Sequence, residues 1–563
     1  MSGAEPEVLA WLTAAGASEA RGDRAGAQEL YLRILQKEPA NVAARLGFAR
    51  QLIARGMLAE AAAQLRRAVR AAPAHAAAQG MLGSLLHRLG DVSGAAAALA
   101  AAVSLQPDHL PAYLELAACE RTLGRLDRAE ATLRQALVRF AEHPVVLAHL
   151  GILYGASARP AEAIDAFKRA LAVTGDAGED VHFLHAGLAA AYKATKSFAE
   201  AEAHYRRAVT LKPDLAQAHH NLGMLLRERG RPHEAMACFA TATRLKRAAP
   251  FFDAAAAADH DGSTSFTMTS KTKLEHDIEQ LRHLRQRDVL PPSFDATIAQ
   301  FELALGDVER QQPTEQIVPL PPARRDALKA VYNRLLHVPP APALSASPLS
   351  AALDVAAIEA DYRAHAPGIT WFDGFLTAEA LASLRRFCLE ATIWFGLKRS
   401  GGYLGAYMEE GFCCDLLLQI ADDLRRRLPG IFGDHPLLQL WAYKYDSRLS
   451  GIGMHADFAA VNVNFWITPD EASLDPAGGG LEVYDCEAPA EWDFTDYNAN
   501  PGRIREFLAA RQARRIVIPH RQNRVVVFNS NLFHETGAFR FKPGYENRRI
   551  NITMLFGERQ RPA

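Results

Sequence analysis

Small apolar residues recur along the first half of the chain in three columns of nearly constant spacing. The first column is Ala27, Ala61, Ala95, Ala129, Ala163, Ala201 and Ala235, with steps of 34 residues and one of 38. A second lies twelve residues earlier, at Ala15, Ala49, Gly83, Ala117, Gly151, Ala189 and Gly223. A third lies seven residues later, at Ala68, Ala102, Ala136, Ala170, Ala208 and Ala242. Because small side chains let antiparallel helices pack closely, the spacing predicts seven helical hairpins over residues 6–247.

Glycines and prolines fall where such hairpins would turn or end, since neither residue continues a helix well. The predicted turns contain Gly22, Gly56, Gly90, Gly124 and Gly230, and the predicted unit ends contain Pro39, Pro73, Pro107 and Pro213. A loop at 174–179 accounts for the one longer step. These columns resemble tetratricopeptide repeats (TPR). That resemblance implies an all-α solenoid whose groove commonly binds a protein or peptide partner.

The region that follows, residues 248–365, is predicted to connect two domains. The polar run 259–265 is typical of a loop, and residues 271–287 have apolar side chains at helical spacing. Within that helix, His276 and Asp277 are predicted to lie on the solvated face. Proline-rich stretches around a short helix at 324–336 predict extended connections, either loosely packed or wrapped around the next domain.

The pattern changes again in the last third of the chain, residues 366–563. Helices are predicted at 378–391 and 415–427, and short apolar segments then alternate with Gly, Pro and Asn. The predicted strands cover 438–445, 460–467, 481–484, 515–518, 525–528 and 549–556. Helices followed by a run of strands favour an α+β domain with a sandwich or jelly-roll core, a double-stranded β-helix.

Charge and cysteine content restrict the class of protein. The 63 Lys and Arg nearly balance the 64 Asp and Glu, so neither nucleic acid nor a membrane surface is an expected partner. Six cysteines without a CxxC pair do not form a disulfide framework or a zinc ribbon. An acidic amino terminus and the absence of a long apolar run favour a cytoplasmic protein.

One ordered set of polar residues carries the candidate chemistry. His455 and Asp457 are two residues apart, so on an extended segment both point the same way, and His534 follows a predicted strand. Two His and one carboxylate leave open positions on an iron ion, although zinc uses related ligands. Beyond them, alternation along the last strand favours Arg549 over Arg548 on the polar face, where it can bind a dicarboxylate with two hydrogen bonds.

This order, HxD, a distal His and then an Arg, resembles the 2-oxoglutarate/Fe(II) oxygenase superfamily and its prolyl-hydroxylase-like branch. With the repeats, the chain is similar to TPR-containing 2-oxoglutarate/Fe(II) oxygenases. The resemblance implies that His455, Asp457 and His534 are catalytic ligands of Fe(II), and that Arg549 holds the far carboxylate of 2-oxoglutarate. It also implies dioxygen as cosubstrate, with ascorbate as an optional further cofactor.

Three further residues are candidates for the same cofactor pocket: Tyr443, Tyr445 and Asn464. Ordinary strand packing is the alternative for each of them. Many prolyl hydroxylases carry Lys where this chain has Arg, so the substrate does not follow from that branch. The Gly478-Gly479-Gly480 run lacks the Lys and Ser/Thr of a phosphate loop and predicts a tight loop beside the active site.

The leading functional hypothesis is a hydroxylase whose protein or peptide substrate is engaged by the TPR array. Two alternatives remain at the level of sequence. One is an oxygenase that acts on a small molecule, with the repeats serving assembly. The other is a non-catalytic TPR scaffold with an inactive oxygenase fold.

Overall fold

A computed structural model describes residues 6–175, 178, 180–248, 266–311, 316–397, 402–446 and 451–559. The predicted loop 259–265 lies outside the described residues. The chain divides into two compact units, Met1–Leu211 and Lys212–Ala563.

Fourteen helices occupy the described residues up to Arg247, as the three columns predict. Twelve belong to the first unit and the last two to the second. They are α1 Pro6–Ala20, α2 Arg24–Lys37, α3 Val42–Ala54, α4 Leu58–Ala71, α5 Ala76–Arg88, α6 Val92–Leu105, α7 Leu110–Thr122, α8 Leu126–Arg139, α9 Pro144–Ala156, α10 Pro160–Thr174, α11 Val181–Ala194, α12 Phe198–Leu211, α13 Ala216–Glu228 and α14 Pro232–Arg247.

The alanine and glycine columns lie where paired helices touch. All seven alanines of the first column are buried, with at most 1% of each residue exposed. At Gly151, an added Cβ would lie 2.7 Å from the ring of Phe167, so the two helices of that hairpin require a glycine there. The turn glycine Gly56 has φ 75°, a left-handed conformation that suits glycine after a helix.

Beyond the repeats, nine further helices are described. Those at Ala378–Glu390 and Asp415–Arg427 confirm two predictions. The short predicted helix at 324–336 is instead Pro322–Leu328, followed by turns that include Asn333 at φ 52°. The others are Lys271–Gln286, Phe294–Gln311, Val355–Ala364, Pro429–Phe432, Phe494–Asn498 and Pro501–Ala510.

Eleven strands are described, and every pairing between them is antiparallel. They are β1 Met268–Thr269, β2 Val318–Pro319, β3 Ile369–Phe372, β4 Tyr403–Tyr407, β5 Leu437–Tyr445, β6 Ala459–Trp466, β7 Leu481–Glu487, β8 Arg515–Ile518, β9 Val525–Asn529, β10 Leu532–Thr536 and β11 Arg549–Glu558.

The strands form two larger sheets and one two-stranded ribbon. One sheet has six strands in the order β3-β9-β6-β11-β5-β4, and the other has three in the order β10-β7-β8. A single buried cluster joins them, with Trp466 and Phe528 from the larger sheet and Val483 and Leu532 from the smaller. All six predicted strands are confirmed. Five short strands, β1, β2, β3, β4 and β10, were not predicted. In β4 the reason is Gly405, a residue type depleted in strands.

The prediction that His276 and Asp277 lie on a solvated helix face is wrong. In the helix Lys271–Gln286, His276 is 0% and Asp277 is 8% exposed. The apolar stripe of this helix packs against Phe294–Gln311, as its periodicity predicts. Its polar face is buried too, where Gln280 donates to the backbone carbonyls of Leu389 and Ala391 at 3.2 and 2.9 Å.

That polar face tolerates burial because its charges are neutralised or paired. Lys273 donates to both carboxylate oxygens of Asp277 at 2.5 Å. Burial lowers the pKa of His276 well below its ordinary value, and nearby Lys444 lowers it further. Helical periodicity does not predict this arrangement. A polar helix face that hydrogen-bonds another part of the protein has the same sequence pattern as a polar face that hydrogen-bonds water.

Candidate metal centre

His455, Asp457 and His534 are brought together by the smaller sheet and the segment beside it. The backbones of His455 and His534 form an antiparallel bridge, with N–H···O distances of 3.0 and 2.8 Å. The backbone N–H of Asp457 donates to the carbonyl of Ser530, which fixes the third residue to the turn before β10. One ligand atom from each of the three side chains lies within 4.8 Å of the other two.

The imidazoles are oriented for metal binding by their own backbone. Nδ1 of His455 donates to the carbonyl of Gly453 at 2.8 Å, and Nδ1 of His534 donates to Leu532 at 3.0 Å. With Nδ1 as the donor, Nε2 of each ring is left to offer an electron pair to a metal, and the two Nε2 atoms lie 3.9 and 3.5 Å from the carboxylate of Asp457. Histidine ligands of metals usually bond through the second nitrogen in this way. The donor set therefore fits a divalent cation with open positions.

The carboxylate of Asp457 is buried and held by one amide. Asn462 on β6 donates to its Oδ2 at 2.6 Å. Burial raises the pKa of Asp457, whereas His455 and the bond from Asn462 lower it. Burial also lowers the pKa of His534 well below its ordinary value, and the charge of a protonated His455 would lower it further. A neutral His534 imidazole beside a carboxylate suits a metal cation better than a proton.

A cavity of about 620 Å³ adjoins these three residues. One side is the inward face of β11, which presents Arg549, Asn551 and Thr553 in alternation. Next to β11 in the same sheet, β5 and β4 add an aromatic wall that consists of Tyr403, Tyr407, Trp441, Tyr443 and Tyr445. The cavity is thus lined by His455, Asp457 and His534, by polar side chains of β11 and by aromatic side chains of β4 and β5.

Arg549 lies in this cavity and Arg548 does not. Only 2% of Arg549 is exposed, and its Nε donates to the carbonyl of Gly479 at 2.6 Å. Arg548 is on the opposite face of the strand and forms ion pairs with Glu279 at 2.6 Å and Asp446 at 3.7 Å. Alternation along β11 therefore assigned the two arginines to the correct faces.

Among the described residues, no carboxylate forms an ion pair with Arg549. Its Nη2 donates to the carbonyl of Gly480 at 3.3 Å, its Nη1 to Asn551 at 3.3 Å, and its guanidinium carbon lies 4.6 Å from the ring centre of Tyr445. Burial lowers the pKa of Arg549, and Tyr445 opposes that shift. Buried arginines are normally paired with an acid, so this side chain is suited to an anionic ligand.

The other predicted pocket residues line the same cavity. Tyr445 is buried, and its hydroxyl has no hydrogen bond of regular geometry to the described residues. Tyr443 lies 3.3 Å from Tyr407, hydroxyl to hydroxyl. Asn464 donates to Thr553 at 3.1 Å and also accepts from Asn551 at 3.5 Å. The structure thus places all three beside the cluster.

Sequence reasoning missed two contributors to the site. Asn462, which holds Asp457, shares a face of β6 with Asn464, so the alternation of asparagines was the available signal. The glycine run was predicted to lie beside the site. The hydrogen bonds from Arg549 to the carbonyls of Gly479 and Gly480 were not predicted. At Gly480, an added Cβ would lie 1.8 Å from the carbonyl oxygen of Ile518, so only glycine fits.

Comparison with known proteins accounts for the helical hairpins. One tetratricopeptide repeat model matches residues 19–85 and 86–148, and a second matches 184–215 and 216–248. The hairpins within these residues are therefore tetratricopeptide repeats. Among curated proteins, nothing matches the chain. No helix in the described part of the chain has both the length and the apolar character needed to cross a membrane.

Several solved structures resemble part of the chain. MamA is 23% identical over 29% of this chain and 90% of that chain, with a TM-score of 0.28. A tetratricopeptide repeat protein from Parabacteroides merdae is 18% identical over 43% and 94%, with a TM-score of 0.36. YrrB, a TPR protein with an unusual peptide-binding site, is 20% identical over 33% and 90%, with a TM-score of 0.29.

Proposed function

We propose that the protein is an iron(II)- and 2-oxoglutarate-dependent oxygenase. The observation that carries the proposal is the buried Arg549, which has no acidic partner among the described residues and shares a cavity with His455, Asp457 and His534. A divalent metal site alone fits several chemistries. A buried guanidinium beside it adds a place for one carboxylate of a dicarboxylate whose other end reaches the metal.

In this proposal, His455, Asp457 and His534 hold iron(II), and Arg549 holds the far carboxylate of 2-oxoglutarate. When bound, the iron and the oxo acid supply the oxidation: dioxygen gives one atom to a substrate C–H bond and the other to 2-oxoglutarate, which leaves as succinate and carbon dioxide. Two neutral His and one carboxylate with open positions form the ligand set known for such iron sites.

The remaining residues of the cavity orient and shield the reactants. The Nδ1 bonds of His455 and His534 keep both Nε2 atoms directed at one point, and Asn462 keeps the carboxylate of Asp457 in place. Tyr445 lies against the Arg549 guanidinium, where its hydroxyl is suited to bond the same carboxylate. The aromatic wall limits water beside the metal.

We further infer that the strands form a jelly roll. What supports this is the path of the chain, which passes between the two sheets repeatedly. β5, β6, β9 and β11 lie in the larger sheet, and β7, β8 and β10 lie in the smaller. Between β5 and β6, the His455 segment forms a bridge to His534 of β10, beside the smaller sheet. The cluster then falls between the sheets, at the open end where ligands bind in barrels of this kind.

We propose a protein or peptide substrate, because the same chain carries tetratricopeptide repeats and repeat arrays of this class present extended binding surfaces. An isolated metabolite as substrate would give the repeats no part in recognition. The two cases differ in a measurable way: a TPR surface variant should alter turnover of a protein substrate and leave turnover of a small molecule unchanged.

The oxygenase proposal is tested with the purified full chain, iron(II) and 2-oxoglutarate under air. We expect slow succinate formation without added substrate, abolished by His455→Ala. Arg548→Met is the control and should keep succinate formation, because Arg548 is next to Arg549 in sequence but lies on the opposite face of β11. If the wild-type protein binds neither iron nor 2-oxoglutarate, the proposal is wrong.

A further inference from the structure

The last repeat hairpin, α13 and α14, packs on the domain that contains the two larger sheets, here called the sheet domain, and both belong to one compact unit. Its contacts with this domain include three that involve charged side chains of the hairpin. The guanidinium carbon of Arg247 lies 3.8 Å from the ring centre of Phe395, and His233 contacts Asp422 at 2.7 Å. The third contact is made by Arg227, near the end of α13, and it differs from the others because it reaches a residue that lines the cavity.

Arg227, Gln439 and Glu409 form a closed set of hydrogen bonds and one ion pair. The guanidinium of Arg227 donates to Oε1 of Gln439 and lies 3.7 Å from a carboxylate oxygen of Glu409. Nε2 of Gln439 donates to both carboxylate oxygens of Glu409 at 3.0 Å. Since arginine can only donate and a carboxylate can only accept, the amide of Gln439 has a single orientation.

Gln439 occupies a defined place in the cavity. It lies on the inward face of β5 with Trp441, Tyr443 and Tyr445. Tyr445 pairs across the sheet with Arg549, at the end proposed for the cosubstrate. Gln439 is at the other end of the strand, so it borders the part of the cavity that the cosubstrate leaves open.

We propose that Arg227 is a positioning residue for this side of the cavity, and that it acts by fixing the side chain of Gln439. The last repeat then belongs to the wall that a substrate meets and is more than a spacer between binding and catalysis. That Arg227 supports this wall of the cavity rests only on its contacts with Gln439 and Glu409. Its role toward substrate rests on the proposed oxygenase function.

The experiment follows the accessibility of Trp441, the neighbour of Gln439 on the same strand face, in the full chain without iron or 2-oxoglutarate. Because the chain has six tryptophans, the emission of matched Trp441→Phe proteins is subtracted to isolate that one residue. Quenching by acrylamide is then compared for the wild type, Arg227→Met, Arg227→Lys and His233→Ala. His233→Ala is the control, since it removes a docking contact of which neither residue lines the cavity.

We expect Arg227→Met to raise the acrylamide quenching constant of Trp441 about twofold, because local restraint of the strand end is lost. Arg227→Lys should fall between it and the wild type, since one donor is retained, and His233→Ala should match the wild type. In a Gln439→Leu background, Arg227→Met should add nothing.

Equal quenching in Arg227→Met and wild type would overturn the proposal, as would an equal rise in His233→Ala. So would an additional effect of Arg227→Met once Gln439 is replaced. Because no cofactor is present, a failure here is distinct from a failure to form succinate. That second failure would remove the oxygenase proposal and leave the contact itself standing.

Discussion

The side-chain amide of Asn462 donates a 2.6 Å hydrogen bond to Oδ2 of Asp457, and both residues are buried. The bond orients the only carboxylate of the cluster, so we expect Asn462→Ala to weaken binding of iron(II) or manganese(II) by about 10- to 100-fold. Anaerobic calorimetry measures this. Asn547→Ala is the control, because its amide bonds Pro543 in an exposed segment. Equal affinity in both variants would show that Asp457 needs no such support.

Replacing Arg549 separates ligand binding from folding. Arg549→Met removes a buried charge that has no acidic partner among the described residues, and it also removes the bonds to the Gly479 and Gly480 carbonyls. Because these two effects oppose each other, the free energy of unfolding should change by no more than about 1 kcal/mol. The rise in Tm that 2-oxoglutarate gives the wild type should be lost. Thermal scans with and without 2-oxoglutarate measure both effects.

Arg548→Met should behave in the opposite way. It breaks a half-buried ion pair with Glu279 and a buried one with Asp446, so unfolding should become easier by about 2–3 kcal/mol while the response to 2-oxoglutarate persists. If instead Arg548→Met loses that response and Arg549→Met keeps it, the assignment of the anion site is reversed.

Gly480→Ala should disturb the loop whose carbonyls bond Arg549. Its Cβ would lie 1.8 Å from the carbonyl oxygen of Ile518, which requires a backbone shift, and we expect a loss of about 3 kcal/mol or more in unfolding free energy. Gly453→Ala is the matched control beside the metal ligands, since nothing lies within 4 Å of its added Cβ. Chemical denaturation compares the two, and similar stabilities would contradict the close approach.

His520 should make the fold sensitive to acid. It is 6% exposed, both ring nitrogens are buried without a hydrogen-bond partner among the described residues, and burial lowers its pKa to about 3. Its contribution to stability is present above pH 6.5 and is lost as pH falls toward 3, because only the unfolded chain takes up the proton.

From pH 7.5 to 5.0 this loss amounts to about 2 kcal/mol for an unfolded pKa near 6.5. We expect His520→Phe to abolish that part of the pH dependence, measured by urea denaturation at the two pH values. An unchanged slope in the variant would mean that His520 protonates without unfolding.

The parts of the fold that sequence predicted depend on local spacing. Columns such as Ala61 and Ala95 are visible because each hairpin buries the same two helix faces at the same separation. Alternation along β11 separated Arg549 from Arg548 for a similar reason, since neighbouring strand residues point to opposite faces. Both signals act within a few residues and need no knowledge of distant partners.

The parts that sequence missed depend on partners far along the chain. Arg227 and Gln439 are 212 residues apart, and nothing around either residue indicates the other. His276 looks like a surface residue because its helix has polar positions on that side, and only the packing of the helix removes water from them. Asn462 is a different case, because Asp457 is close in sequence and the alternation of asparagines along β6 was the available signal.

The bonds between the helix Lys271–Gln286 and the sheet domain bear on how such a protein can be assembled by gene fusion. Glu279 of this helix pairs with Arg548, and Gln280 bonds the carbonyls of Leu389 and Ala391. A fusion that joined repeats directly to residue 366 would leave these groups unbonded. The compact unit that carries the sheets includes this helix and, with the last repeat hairpin, begins at Lys212. We therefore expect an exchange of the preceding repeats to preserve the fold only when this whole unit is kept intact.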